Sequence, residues 1–112
     1  MIYGIPEPTD TDAVEIVDWS IKEVIFGQNE ERTYHLVGFI REERSGRVSS
    51  AITTFDSDQR LIETSSGRFY RLCGESGVNP DANYVWGIWK KRNDVRLERD
   101  VSDRFLSKSL AT

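Results

Sequence analysis

Residues 33–41, T-Y-H-L-V-G-F-I-R, followed by V-S-S-A-I-T-T-F at 48–55, L-I-E-T at 61–64 and R-F-Y-R-L-C at 68–73, decide the fold class of this chain. The first run places apolar residues at both odd and even positions, as a strand buried on both faces does. The second is rich in β-branched residues, which suit a pleated, half-buried surface. Between the runs stand Glu43-Arg44-Ser45-Gly46, Asp56-Ser57-Asp58 and Ser65-Ser66-Gly67, whose Gly, Asp and Ser supply the backbone conformations of tight turns. Short strands joined by short turns describe an antiparallel β-meander or a small, partly open barrel.

Upstream, residues 13–26 carry two readings. As a helix, Asp12 caps it with Glu15 three residues on, and Val14, Val17, Ile21, Val24 and Ile25 share one face. As a strand, Trp19 and Ile21 alternate with Ser20 and Lys22. The strand is preferred from about Asp18 onward, because the run at 33–41 needs a partner.

Downstream the pattern changes after Gly74. Asn79 can cap a helix with Pro80 at its first position and Asp81 beside the positive end of its dipole. Tyr84, Val85, Ile88 and Trp89 recur at helical spacing, and Lys90, Lys91 and Arg92 sit at the favourable C-terminal end. Gly87 weakens this helix by about 1 kcal/mol relative to Ala. Leu97, Val101, Phe105 and Leu110, set in charged surroundings, predict a second amphipathic helix. The chain therefore reads as α+β, mainly β. It forms one domain over 1–112, with an extended N-terminal arm at 1–12, a β core at 13–74 and a helical part at 79–110.

The 112 residues, 38% hydrophobic and 30% charged, have the balance of a globular domain. One cysteine excludes an internal disulfide and a Cys/His zinc cluster. The longest apolar runs, such as Val24-Ile25-Phe26, are too short to span a membrane. Residues 1–7 lack the basic and apolar regions of a secretory signal, so a reducing cytoplasm is expected. The formal charge of −4 lowers the expectation of nucleic-acid binding through long-range repulsion from phosphates.

Catalytic signatures are sparse. Cys73 and His35 are the one conceivable nucleophile and base, but no third orienting group is indicated. G-x-S-x-G and the glycine-rich phosphate loops do not occur. Asp56-x-Asp58 lacks the spacing of a calcium loop. Asp10, Asp12, Glu15 and Asp18 read as a solvated or partner-facing acidic face rather than as buried acid–base catalysts. No cofactor and no metal are expected.

The segment from Tyr84 to Arg92, Y-V-W-G-I-W-K-K-R, carries the most information. Its tryptophans either lid the sheet or, with Tyr84, Lys90, Lys91 and Arg92, form a protein interface. Aromatics beside bases also stack nucleobases. Ser45-Gly46-Arg47-Val48 and Ser66-Gly67-Arg68-Phe69 echo one another. Two similar hairpins explain the echo, or Arg47 and Arg68 emerge together as an anion clamp.

Ser49-Ser50-Ala51-Ile52-Thr53-Thr54 and Ile62-Glu63-Thr64-Ser65-Ser66-Gly67-Arg68-Phe69-Tyr70-Arg71-Leu72, with Trp19-Ser20-Ile21 upstream, are similar to the β core of small uncharacterised proteins of bacteria and their mobile elements. Those carry roughly T-S-x-I and then T-x-S-G-x-x-Y-x-L. The similarity spans about residues 18–74; Ser49 and Ser50 depart from the expected Thr-Ser, and the C-terminal aromatic segment has no clear counterpart. The resemblance implies a β-meander or small barrel and no catalytic residues. By size and composition alone the chain is comparable to small acidic phage and plasmid proteins that dock on a host protein, anti-CRISPR inhibitors among them.

The expected function is thus a non-enzymatic binding protein, a monomer or homodimer. It acts through a protein partner that meets Tyr84, Trp86, Trp89, Lys90, Lys91, Arg92, Asp10 and Asp12. Nucleic-acid binding and a small Cys73/His35 enzyme are the alternatives.

Overall fold

Residues 13–26 are a strand throughout, and the long strand they form organises everything else. The computed structural model describes residues 13–26 and 31–104, so the 1–12 arm with Asp10 and Asp12 and the segment from 105 onward lie outside the described residues. The chain order is β1 (Ala13–Phe26), β2 (Arg32–Ile40), β3 (Ser45–Val48), β4 (Ile52–Asp56), β5 (Leu61–Thr64), β6 (Phe69–Leu72), α1 (Pro80–Arg92) and β7 (Val95–Asp100).

β1 resembles a helix in its apolar spacing because it contains a bulge. The pairing with β2 shifts register between Val17 and Ser20, and Asp18 adopts φ 48° there. Asp is among the few residues that tolerate this left-handed conformation. The extra residue swaps the parity of the buried face: Val14 and Ile16 before the bulge, Trp19 and Ile21 after it, all pack in one cluster. Gly38 lies opposite the bend; a Cβ there would stand 2.7 Å from Ile16 and 3.1 Å from the Trp19 backbone.

The bend lets β1 serve two subsheets. Its first half pairs in parallel with β6, Ala13 to Phe69 through Ile16 to Leu72. Its second half lies between β2 and β7, both antiparallel. The resulting seven-stranded sheet runs β3-β2-β1-β6-β5-β4, with β7 beside β1 off that path. The expected hairpins are present, β2–β3, β4–β5 and β5–β6. The β1–β6 pair makes the sheet mixed rather than a pure antiparallel meander, and it does not close into a barrel.

Two local expectations are corrected. The turn placed at 43–46 falls at residues 41–44, with Arg44 at φ 53°, and Ser45 and Gly46 already belong to β3. The run at 48–55 divides between β3 and β4, interrupted at Ser49-Ser50-Ala51. There the Ser49 hydroxyl accepts from the Leu36 N–H at 2.9 Å and donates to the Ser50 carbonyl at 2.7 Å. Ser49 thereby satisfies buried backbone groups where the ladder stops.

The predicted helix is present with the N-cap expected. Asn79 Oδ1 accepts from the Ala82 N–H at 3.1 Å, Pro80 opens α1 and Asn93 closes it. The second helix predicted after residue 94 is instead β7, followed by one helical turn at 102–104. Two cores result. Ile16, Trp19, Ile21, Leu36, Ile40, Ile62, Tyr70, Leu72 and Val101 fill the space between the subsheets. Val24, Val37, Ala82 and Trp86 join α1 to the opposite face of β1 and β2. Gly46 sets the height of the helix, since a Cβ there would meet the Ala82 backbone at 2.6 Å.

Candidate functional site

The aromatic-basic segment is α1, and the helix divides its residues between two jobs. Ala82 and Trp86 face the sheet, and Trp86 is only 5% exposed. Its indole Nε1 donates to Glu98 Oε1 at 2.8 Å, and its ring stacks on Trp89 with centroids 5.3 Å apart and planes 12° apart. Trp89 in turn lies 4.5 Å from the His35 ring and 6.1 Å from Phe26. Lys90 pairs with Glu98 and stands 5.7 Å over the Trp86 ring. The stack therefore lids the sheet. Trp86 is buried in the core, Trp89 packs against it partly buried, and Lys90 is already ion-paired within the fold.

What α1 shows to solvent is Tyr84, 71% exposed, Ile88, 39% exposed, and the exposed Lys91 and Arg92. The spacing 84, 88, 91 and 92 keeps them on one side of a 3.6-residue helix. Asp81 lies one turn before them, and Val78, also largely exposed, just precedes the cap. Ile88, read from sequence as part of the helical spacing but not as a partner-binding residue, completes the stripe. The signal was present in its four-residue spacing from Tyr84.

His35 and Cys73 are occupied separately. The His35 Nδ1 lies 2.9 Å from the Ser49 carbonyl, which can only accept, so Nδ1 carries the proton. Nε2 then accepts from the Thr33 hydroxyl at 2.7 Å. Burial pushes the His35 pKa below its ordinary value, against the opposing hydrogen bond to Ser49. The Cys73 Sγ donates to the Arg71 carbonyl at 3.6 Å, and burial, then the nearby Glu15, push the thiol pKa up. A raised pKa leaves less thiolate, the opposite of an activated nucleophile. Among the described residues no group of three or more His, Cys, Asp or Glu is placed to hold a metal.

The proposed arginine clamp resolves into two different environments. Arg47 Nη1 donates to the Tyr70 hydroxyl at 3.1 Å, and Nη2 pairs with Glu43. Arg68 is exposed beside the β5–β6 turn, where Gly67 takes φ 87°. Arg47 thus ties β3 to β6 across the core mouth.

A second polar centre, absent from the sequence reading, surrounds Glu23 on the face of the sheet opposite α1. Its side chain is 5% exposed, accepts from Tyr34 Oη at 2.9 Å, and takes both Nε and Nη2 of Arg99 at 3.0 and 2.6 Å. Arg32 Nε stands 3.6 Å away. The Tyr34 hydrogen bond, with the two arginines behind it, outweighs burial and holds the Glu23 carboxyl below the usual range. The Tyr34 phenol is pushed up by the same bond. Nothing in sequence signals this centre, because Glu23 and Arg99 meet only when β7 pairs with β1.

Beside Glu23 opens a cleft of about 300 Å³, lined by Ile25, Arg32, Leu97, Glu98 and Arg99 as well. No helix among the described residues is long and apolar enough to cross a membrane. No protein family, no curated protein and no solved structure matches the chain.

Proposed function

We propose that the protein is a non-enzymatic binding module that docks an acidic protein surface through the outer face of α1. The observation that carries this reading is the solvent exposure of Tyr84 and Ile88 on a helix whose inner face is locked by the Trp86–Trp89 stack. An anchor residue held on a rigid helix binds without ordering a flexible segment first. Tyr is enriched among the residues that carry interface energy, and Lys91 and Arg92 at the helix end supply charge complementary to an acidic partner. The occupied ring of His35 and the raised pKa of Cys73 support binding over catalysis.

The test is site-specific photocrosslinking. A photoreactive phenylalanine analogue replaces Tyr84, or Asp58 in the β4–β5 turn as control, in cells that naturally make the protein. A single adduct at position 84, nuclease-resistant and lost in the K91E/R92E background, is the expected result. Adducts equal at both positions, or lost on nuclease treatment, would overturn the reading.

A further inference from the structure

One edge of β1 has a gap between its two partners. Pairing with β6 ends at Ile16 and Leu72, and pairing with β7 begins at Lys22 and Asp100. Two loops close the gap from its ends. The Gly77 N–H donates to the Trp19 carbonyl at 2.9 Å, and the Val101 N–H donates to the Ile21 carbonyl at 2.8 Å. The Ser102 hydroxyl accepts from the Ile21 N–H at 2.9 Å. What remains is a cleft of about 250 Å³, lined by Ser20, Ser76, Val78, Asp100, Ser102 and Asp103.

Much of the polar chemistry around this cleft is spent within the fold. Asp100 Oδ1 accepts from the N–H and the hydroxyl of Ser102 at 2.9 and 2.6 Å, and Oδ2 faces Lys22 Nζ at 3.4 Å. Asp18 accepts from Asn79 Nδ2 at 3.4 Å, where its charge offsets the positive end of α1 beside the cleft. Two groups are left over. Ser20 is 9% exposed and lines the cleft, and its hydroxyl has no hydrogen-bond partner among the described residues. Asp103 is exposed on the helical turn at 102–104, and its carboxylate makes no ion pair or hydrogen bond among the described residues. Ser76 adds a further hydroxyl to the lining.

We infer that this cleft binds a primary ammonium group on a short, unbranched aliphatic chain, carried by a free amine or by a lysine side chain. Buried hydroxyls are rarely left without a partner, and the lining offers oxygen acceptors with one carboxylate that no neighbour neutralises. An ammonium has three donors and no acceptor, which matches Ser20, Asp103 and Ser76 taking one N–H each. The donor set does not suit a metal ion, since among the described residues no three His, Cys, Asp or Glu side chains converge. The volume lies below the usual range of small-molecule sites, so the chain behind the nitrogen is short. Val78, 76% exposed at the rim, covers its first methylenes. Solvent screens the exposed Asp103, so binding is weak. This site does not depend on the docking face of α1.

Proton–nitrogen correlation NMR of the full chain, titrated with n-butylammonium chloride at constant ionic strength, tests this. Saturable shifts at the amides of Ser20, Ser76, Val78 and Asp103, with a Kd of about 1–10 mM, are expected. Tetramethylammonium, which has the charge but no N–H, binds at least about tenfold more weakly. S20A and D103N each weaken butylammonium by about fivefold or more at an unchanged melting temperature, whereas D58N in the β4–β5 turn leaves it unaltered. Nα-acetyl-lysinamide binding within about threefold of butylammonium assigns the cleft to a lysine side chain, and binding confined to the free amine assigns it to a small molecule. No saturable shift below about 100 mM, equal affinity for tetramethylammonium, or full affinity in either S20A or D103N would overturn the inference.

Discussion

Replacing Trp86 by Ala and, separately, Tyr84 by Ala tests which residues of α1 hold the molecule together. Trp86 is 5% exposed, stacks on Trp89 and donates to Glu98, whereas Tyr84 is 71% exposed two residues earlier. Truncating a buried aromatic to Ala costs about 3–5 kcal/mol, of which the ring pair supplies about 1 kcal/mol. An exposed position away from any polar partner stays within about 0.5 kcal/mol. For a domain of 112 residues each kcal/mol lowers the melting temperature by about 4 °C, so W86A should melt about 12–20 °C lower and Y84A within about 2 °C of wild type. W86F separates the terms. It keeps most apolar contact but loses the N–H to a carboxylate that Lys90 still pairs, a cost of about 1–2 kcal/mol. Urea unfolding followed by far-ultraviolet circular dichroism measures all three without relying on tryptophan emission. A W86A variant within about 1 kcal/mol of wild type, or a Y84A variant as damaged as W86A, would refute this division of the helix.

Stability should also depend on pH in two separate windows. Burial lowers the His35 pKa below 6.5, so between those values the unfolded chain binds a proton that the folded chain refuses. Stability therefore falls as pH drops below about 6.5, and H35Q should flatten the urea midpoint through that window; a wild-type midpoint constant from about pH 7.5 to 5.5 counts against it. Glu23, held below 4.5, contributes stability that is present above that value and is lost as pH falls through its lowered pKa, a second decline that E23Q should remove. G46A, whose new Cβ would lie 2.6 Å from the Ala82 backbone, should lift α1 and cost about 1–3 kcal/mol by chemical denaturation, and an unchanged midpoint would show that the helix does not rest on β3.

The hairpins from β4 to β6 and the helix from Pro80 were legible because their signals are local. Asp56 accepts from the N–H groups of Asp58 and Gln59 in its own turn, Gly67 takes a positive φ, and Asn79 reaches only to Ala82. Such preferences act over three or four residues and survive any tertiary setting. The exposed stripe of α1 was partly legible for the same reason, since Tyr84 and Ile88 are one turn apart. By contrast, the apolar spacing of residues 13–26 fitted a helix because the Val17–Ser20 bulge shifts a period of two by one residue.

The amino-acid sequence by itself determined a mainly β domain, its turns, its helix caps and the amphipathic edge of α1. Only the tertiary structure decided that 95–100 is a strand, because its conformation comes from hydrogen bonds to β1 more than seventy residues earlier, as in Lys22 with Asp100. That pairing delivers Glu98 to the buried Trp86, and Arg99 to Glu23, making a buried charge centre beside the cleft. Each of these roles is a property of two residues meeting, and no pattern within one segment encodes a partner that far away.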